Sequence, residues 1–463
     1  MTPQYLTELA TFAADTPSAA IPVAVRNRAR DMIADCIGCM MAGSQAPEVQ
    51  RLAQTTFARS RIEEAAPPGL ALRLPVEQAA YLGGIAGTWH DLDEGNLHTR
   101  THAAIQIVPV LIAEAQRSNL TGHAFIDAFV MAYEVVSRLW RAATIRLAVH
   151  PHGTTGAVAG AVALARLRGT DANDMVAITN IAMALGTVSS RHTLNDGATV
   201  RNVYTGSGAR AAFEAIALFD AGFSGELDAP TSVLGSIYGD AFESSQAMQD
   251  LGNTWWINTC YFKRFASARY LHGPLDLLET LAANTQPDVT APLIAENIER
   301  IDVDTYFMAA TMGQQSVNSA FGMRFSLPQA MATRIVRGPT PLTDDSSSAF
   351  EDPRVHELAQ RIFVHEDANA TAQYPAQQPS SLRLRYRDGQ QLDVAARRIV
   401  GEGDCPLPAG ALRSKFIELG STSITAAVAA QTWDTLTTFE TMDNVAELCD
   451  AWSAAALPRT KES

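Results

Sequence analysis

Between Trp89 and Ala104 the chain reads WHDLDEGNLHTRTHAA, which sets two aspartates, a glutamate, three histidines and an arginine directly before the apolar run IQIVPVLIAEA. Side chains that carry protons near neutral pH, gathered this densely, make either a solvated loop or the floor of an active site. A zinc site is one chemistry to weigh: His98 and His102 stand four apart, and Asp91 or Asp93 could be a third ligand. No glutamate stands beside the first histidine, however, and Arg100 puts a positive charge where the cation would sit. No metal is expected.

Three further stretches carry possible chemistry. HPHGTTG, from His150 to Gly156, can set imidazoles and backbone N–H groups at a helix N-terminus, a natural anion site; a capped loop with solvated histidines, His152 included, fits the local pattern equally well. SSRHTLNDGATVRNVYTGSGARAAFEA (189–215) reads as a polar, glycine-rich loop holding Arg191, Arg201 and Arg210, without the glycine-lysine-serine/threonine grip of a nucleotide loop. YFKRFASARYLHG (261–273) is a basic patch with Lys263, Arg264, Arg269 and His272, the last two on one face if helical. A solvated cationic face is its plain alternative. Cys36 and Cys39 form a C-x-x-C, but inside an apolar helical pattern, so they read as packing residues.

The elements that must position these groups are mostly helices. Apolar residues recur at three- and four-residue spacing over 5–14, 23–42, 75–88, 104–116, 123–140, 155–168 and 173–188. From about residue 297 the texture changes: IERIDVDTY reads as a strand, RFSLPQAMATRIVRG and DPRVHELAQRIF as helices. SLRLRYRDGQQLDVAARRI reads as a hairpin about a two-residue Asp388-Gly389 turn. The 463 residues, 47% hydrophobic with a net charge of −14, describe an ordinary globular protein. Nucleic acid and anionic membrane surfaces are disfavoured as partners, since no dense basic segment offsets that charge. The polar start lacks a signal-peptide pattern, no apolar stretch is long enough to span a bilayer, and five cysteines make no disulfide framework. A cytoplasmic protein is expected.

DMIADCIGCMMAGS, DLDEGNLHTRTHAAIQIVPVL, HPHGTTGAVAGAVALARLRG, VRNVYTGSGARAAFEAIALFDAGFSGELDAP, FKRFASARYLHGPLD and the closing LRYRDGQ and LRSKFIELG, in this order, resemble the MmgE/PrpD family almost end to end. The resemblance implies a mainly α protein: a large all-helical domain (1–268 and 405–463) with an inserted smaller α+β lid domain (269–404). It further implies a homodimer, no cofactor, and an active site between domain and lid. The substrate would be a small di- or tricarboxylate that loses a proton next to a carboxylate.

Carried over residue by residue, the resemblance makes Asp91, His102, His150 and Lys263 catalytic, and Arg201, His152, Arg269 and His272 substrate-binding. His102 and His150 would be the proton carriers, Asp91 would orient an imidazole, and Lys263 would stabilise an enediolate. His90 and His98 would be rim or packing. Arg201 stands where the family has a lysine and suits a carboxylate anchor, because a guanidinium keeps its proton. His152 replaces a threonine, and a tyrosine of several relatives is missing near Ser326-Leu327-Pro328. The favoured reaction is dehydration of the 2-methylcitrate type. Epimerisation of the iminodisuccinate type is the alternative, and cis-aconitate decarboxylation ranks third.

Overall fold

The helical spacing of the first half folds as read, in a computed structural model that describes residues 2–283, 294–403 and 405–457. Its main helices are α1 (Val23–Gly43), α2 (Val76–Gly87), α3 (Ala103–Ser118), α4 (Gly122–Arg141), α5 (Gly156–Leu167), α6 (Ala172–Ala184) and α7 (Val203–Asp220). Every residue of α3 from Ala103 to Gln116 is buried. A helix apolar all round belongs at the centre of a bundle, and α3 is packed by α2, α4, α5 and α7. Asp171 caps α6 by accepting from the N–H groups of Asn173 and Asp174, at 2.9 and 3.0 Å.

Two sequence expectations change here. The helix expected to reach residue 188 stops at Ala184. The stretch 189–215 is loop only in its first part, because Ala209, Ala211, Ala212 and Ala215 give Val203–Asp220 a buried face and make it α7. Its glycines are sites of close helix packing as much as of turning.

A two-stranded ribbon, β1 (Ala143–Ile145) and β2 (Gly239–Phe242), edges the helices. The remaining strands, β3 (Ile298–Thr305), β4 (Ile362–Glu366), β5 (Ser380–Tyr386) and β6 (Gln391–Ala396), form one sheet in the order β4-β3-β5-β6. Only the β3–β4 pair is parallel. Strand β3 buries Ile298, Ile301, Val303 and Thr305. Together with α8 (His272–Ala283), α9 (Leu327–Arg337) and α10 (Pro353–Ala359), the sheet encloses a second core separate from that of the helices.

Strand β4 differs from expectation, because Ile362-Phe363 continue the helical spacing of the segment before them and read as its end. The β5–β6 hairpin stands where expected but closes on three residues, 387–389, not two. The Tyr386 N–H reaches Gln390 O at 2.9 Å and the Gly389 N–H reaches Tyr386 O at 3.0 Å, with Gly389 at φ +90°. This is the turn-plus-bulge form in which glycine supplies the left-handed residue.

After the sheet, α11 (Ala411–Gly420) returns to pack on α1. Cys36 and Cys39 are buried in the α1 core, where burial pushes both thiols up, so they pack rather than react. Lys415 of α11 bonds Asp35 of α1 at 2.7 Å and the carbonyl of Leu92 at 2.8 Å. A late helix thereby braces the 88–102 loop from behind. Among the described residues, no helix is long and apolar enough to cross a membrane.

Candidate active site

The loop after α2 is held in an unusual path. Asp91 takes φ +52°, a left-handed conformation that aspartate tolerates better than most residues. Farther on, Asn96 Oδ1 accepts from the N–H groups of His98 and Thr99, and Asn96 pairs with Thr101 across the turn. Such an asparagine turn is local chemistry that the sequence itself supplies. It delivers His102 to the N-cap of α3. Gly95 pairs with Tyr261, and a Cβ there would stand 2.2 Å from the Tyr261 hydroxyl. Only glycine lets that ring approach.

The two aspartates have different partners. Asp91 Oδ1 binds the Arg201 guanidinium, while Asp91 Oδ2 lies 3.1 Å from Lys263 Nζ. Lys263 also donates to the Asp91 carbonyl at 2.8 Å. Asp93 instead faces the imidazoles: its Oδ2 is 3.0 Å from His102 Nδ1 and 3.0 Å from His152 Nε2. Burial pushes the Asp93 carboxyl up, but Lys263, His152 and His102 outweigh it and hold the group well below the usual range. The orienting role expected of Asp91 thus falls geometrically to Asp93, and Asp91 serves as a clamp on two cations.

Hydrogen-bond partners fix the imidazole protons. His102 Nδ1 also lies 2.5 Å from the Glu94 carbonyl. A carbonyl can only accept, so Nδ1 carries the proton and Nε2 keeps its lone pair. His150 is the reverse: its Nδ1 accepts the His152 backbone N–H at 3.1 Å, leaving the proton on Nε2. Burial, followed by the charges of neighbouring groups with Arg201 foremost among the fixed cations, holds His150 and His152 well below the usual histidine range. Both stay neutral. The chain can turn so sharply after His150 because Gly153 takes φ +85°, and a Cβ there would meet Tyr204 at 2.9 Å.

Six of the eight residues expected from sequence line one cavity of about 50 Å³: Asp91, His102, His150, Arg201, Lys263 and Arg269. His152 stands directly behind, 4.2 Å from the His102 ring centre to centre. His272 is fully buried outside the lining, with Nε2 3.4 Å from Ser267 O and Nδ1 3.5 Å from Arg269 Nη1. The cavity also takes in Arg191, Tyr261 and Tyr270, which sequence reasoning did not single out as site residues. Tyrosines at both ends of the basic YFKRFASARY segment were the available signal. His90 is buried, with burial and Arg324 pushing it down to about 3, and His98 is exposed.

Glu94, next to this cluster, is fully buried, and burial followed by the Asp93 charge pushes it up to about 8. Its Oε1 accepts from Ile105 N–H at 3.1 Å, leaving Oε2 for the proton. Because the folded group holds its proton above the ordinary value near 4.5, wild-type stability should fall as pH rises from there to about 8. Glu94→Gln removes that loss, so its stability advantage in urea unfolding should grow across the same window and then level off. A constant difference from pH 5 to pH 8 would show that Glu94 is ionised in the fold.

Among the described residues one group of donors has metal-ligand spacing: Asp93, His102 and His152, whose donor atoms lie within 4.8 Å of one another. His102 Nδ1, 3.0 Å from Asp93 Oδ2, also lies 2.5 Å from the Glu94 carbonyl, which calls for an N–H at that atom and not the lone pair a cation needs. These residues fit a hydrogen-bonded cluster better than a metal centre.

Comparison with known proteins gives family matches over most of the chain. Residues 7–238 match the MmgE/PrpD N-terminal domain and residues 265–440 the MmgE/PrpD C-terminal domain. A cis-aconitate decarboxylase of Aspergillus terreus is 21% identical over 439 residues, covering 88% of each chain. A cis-aconitate decarboxylase-like protein of Aspergillus oryzae is 22% identical over 475 residues, covering 95% of each.

Proposed function

The chain belongs to the MmgE/PrpD family, and from that premise we propose that it is a lyase that removes a proton next to a carboxylate of a small di- or tricarboxylate. The observation that carries this reading is the opposed state of the two cavity imidazoles, a lone pair on His102 Nε2 and a proton on His150 Nε2. His102 takes the α-proton. The carbanion's charge moves onto the substrate carboxylate, where Lys263 and the neutral His150 N–H stabilise it. Lys263 donates one N–H to the Asp91 carbonyl and rests beside the Asp91 carboxylate, which leaves it N–H donors for substrate. In the dehydration we favour, the His102 imidazolium, open to exchange with solvent, gives a proton to the leaving hydroxyl, water departs, and the enzyme regains its starting protonation.

The site residues then divide by role. Asp91, His102, His150 and Lys263 form the reacting end, with Asp91 holding Lys263 and Arg201 in place. His152, through Asp93, and His272, through Arg269, are positioning residues. A cavity of about 50 Å³ is far below the roughly 300–1,000 Å³ of ordinary ligand sites. That closure supports a lid: residues 269–404 would move against a helical domain of 1–268 and 405–463 to admit substrate, in a homodimer that needs no cofactor.

Decarboxylation is the second reading, favoured by the names of the two Aspergillus relatives. There the carbon–carbon bond breaks to release carbon dioxide, and a histidine proton goes to the carbon left behind. Proton NMR in D₂O with 2-methylcitrate, citrate, cis-aconitate and single enantiomers of iminodisuccinate separates the cases. A new alkene with loss of water is the expected result. Carbon dioxide with a new methylene signal would replace it by decarboxylation, and deuterium entry with inversion and no alkene by epimerisation. Folded enzyme that leaves all four unchanged would count against this substrate class.

A further inference from the structure

We propose that Arg191 is the anchor for a second carboxylate of the substrate, and so selects dicarboxylates over monocarboxylates; this rests on the carboxylate reading above. The backbone carries Arg191 to the cavity. Val149 pairs with Ser190, the His150 N–H reaches Ser189 O at 3.0 Å, and the Arg191 N–H reaches Ala148 O at 2.9 Å. Those bonds zip 148–150 to 189–191, so Arg191 and His150 stand on one wall. The guanidinium carbon lies 5.7 Å from the centre of the Tyr270 ring, within cation–π reach.

The other cavity cations are already engaged. Arg201 gives Nη1 to Thr88 O and Asn202 Oδ1, and Nη2 to Asp91. Arg269 gives Nη1 to Val400 O and Nη2 to Glu402 at 3.1 Å. Lys263 is held by Asp91. Arg201 and Arg269 each keep only a buried Nε without a hydrogen-bond partner, whereas in Arg191 a terminal nitrogen, Nη2, is buried with none among the described residues. A buried N–H of a charged group left unbonded is costly unless something fills the place. Charge leads to the same conclusion. Asp91 and Asp93 offset Arg201 and Lys263, Glu402 offsets Arg269, and the charge of Arg191 is the surplus that a substrate anion would neutralise. Arg201, the anchor expected from sequence, has both terminal nitrogens engaged and only its Nε left to offer a ligand.

The test uses glutarate and valerate, five-carbon acids with and without the second carboxylate, titrated into the full chain by ligand-observed NMR. Wild type should prefer glutarate by about 10- to 100-fold, the range of one charge-assisted pair. Arg191→Gln should lose that preference while valerate binding and melting temperature stay as in wild type. Arg191→Lys should keep part of it, since an ammonium attracts but cannot grip with two parallel bonds. An Arg191→Gln protein that still prefers glutarate as wild type does would overturn the role of Arg191 alone. A wild type with no preference for glutarate would overturn the dicarboxylate reading beneath it. If Arg191→Gln does not fold, an undiminished preference in Arg191→Lys would overturn the two-bond grip.

Discussion

His102→Gln is expected to lower kcat by about 10²–10⁴-fold, the range typical of losing a positioned general base, with a much smaller change in KM. Glutamine is uncharged, polar and close to the imidazole in volume and reach, so the fold should survive. What it lacks is a lone pair of suitable basicity at the place of Nε2. Steady-state kinetics on the accepted acid, with a melting curve for the variant, checks this. A fall in kcat below tenfold would mean that the proton leaves by another route.

Asp93→Asn should be nearly as damaging, about 10²–10⁴-fold in kcat, although Asp93 lines no part of the cavity. One carboxylate oxygen serves both His102 Nδ1 and His152 Nε2. An amide either turns its NH₂ toward those rings and forces the wrong tautomer, or presents a neutral oxygen that stabilises the His102 imidazolium far less. The two effects act on catalysis, and KM should move little. An Asp93→Asn enzyme whose kcat stays within tenfold of wild type would make Asp93 a packing residue only. Together the two variants should be far from additive, since both act through the same imidazole.

Much of this site was legible in the sequence, and the misreadings have physical causes. The loop 88–102, the HPHG turn and the basic 261–273 segment each contribute where expected, because short polar motifs before helices act locally. Spacing alone could not tell which aspartate meets which base. Asp91 and Asp93 are two apart, and the left-handed turn at Asp91 sends one to the cations and the other to the imidazoles. Arg191 and Arg201 looked alike in one polar stretch. The partners that occupy Arg201 come from residues near 88–91, and those contacts exist only after folding. Lys415 was beyond reach for the same reason, lying more than three hundred residues from the Leu92 carbonyl it holds. Helix periods were easy to see, whereas strand β4 was masked by the helix directly before it.

The central claim is that His102 Nε2 removes the α-proton. Its most direct test is solvent-deuterium exchange into the α-position of whichever acid wild type accepts, compared between wild type and His102→Gln under saturating substrate. Wild type should wash deuterium into unreacted substrate by reversal of the first step, and the variant should lose that exchange while still binding the acid. Exchange in the variant at the wild-type rate would contradict the assignment and move the base elsewhere in the cavity.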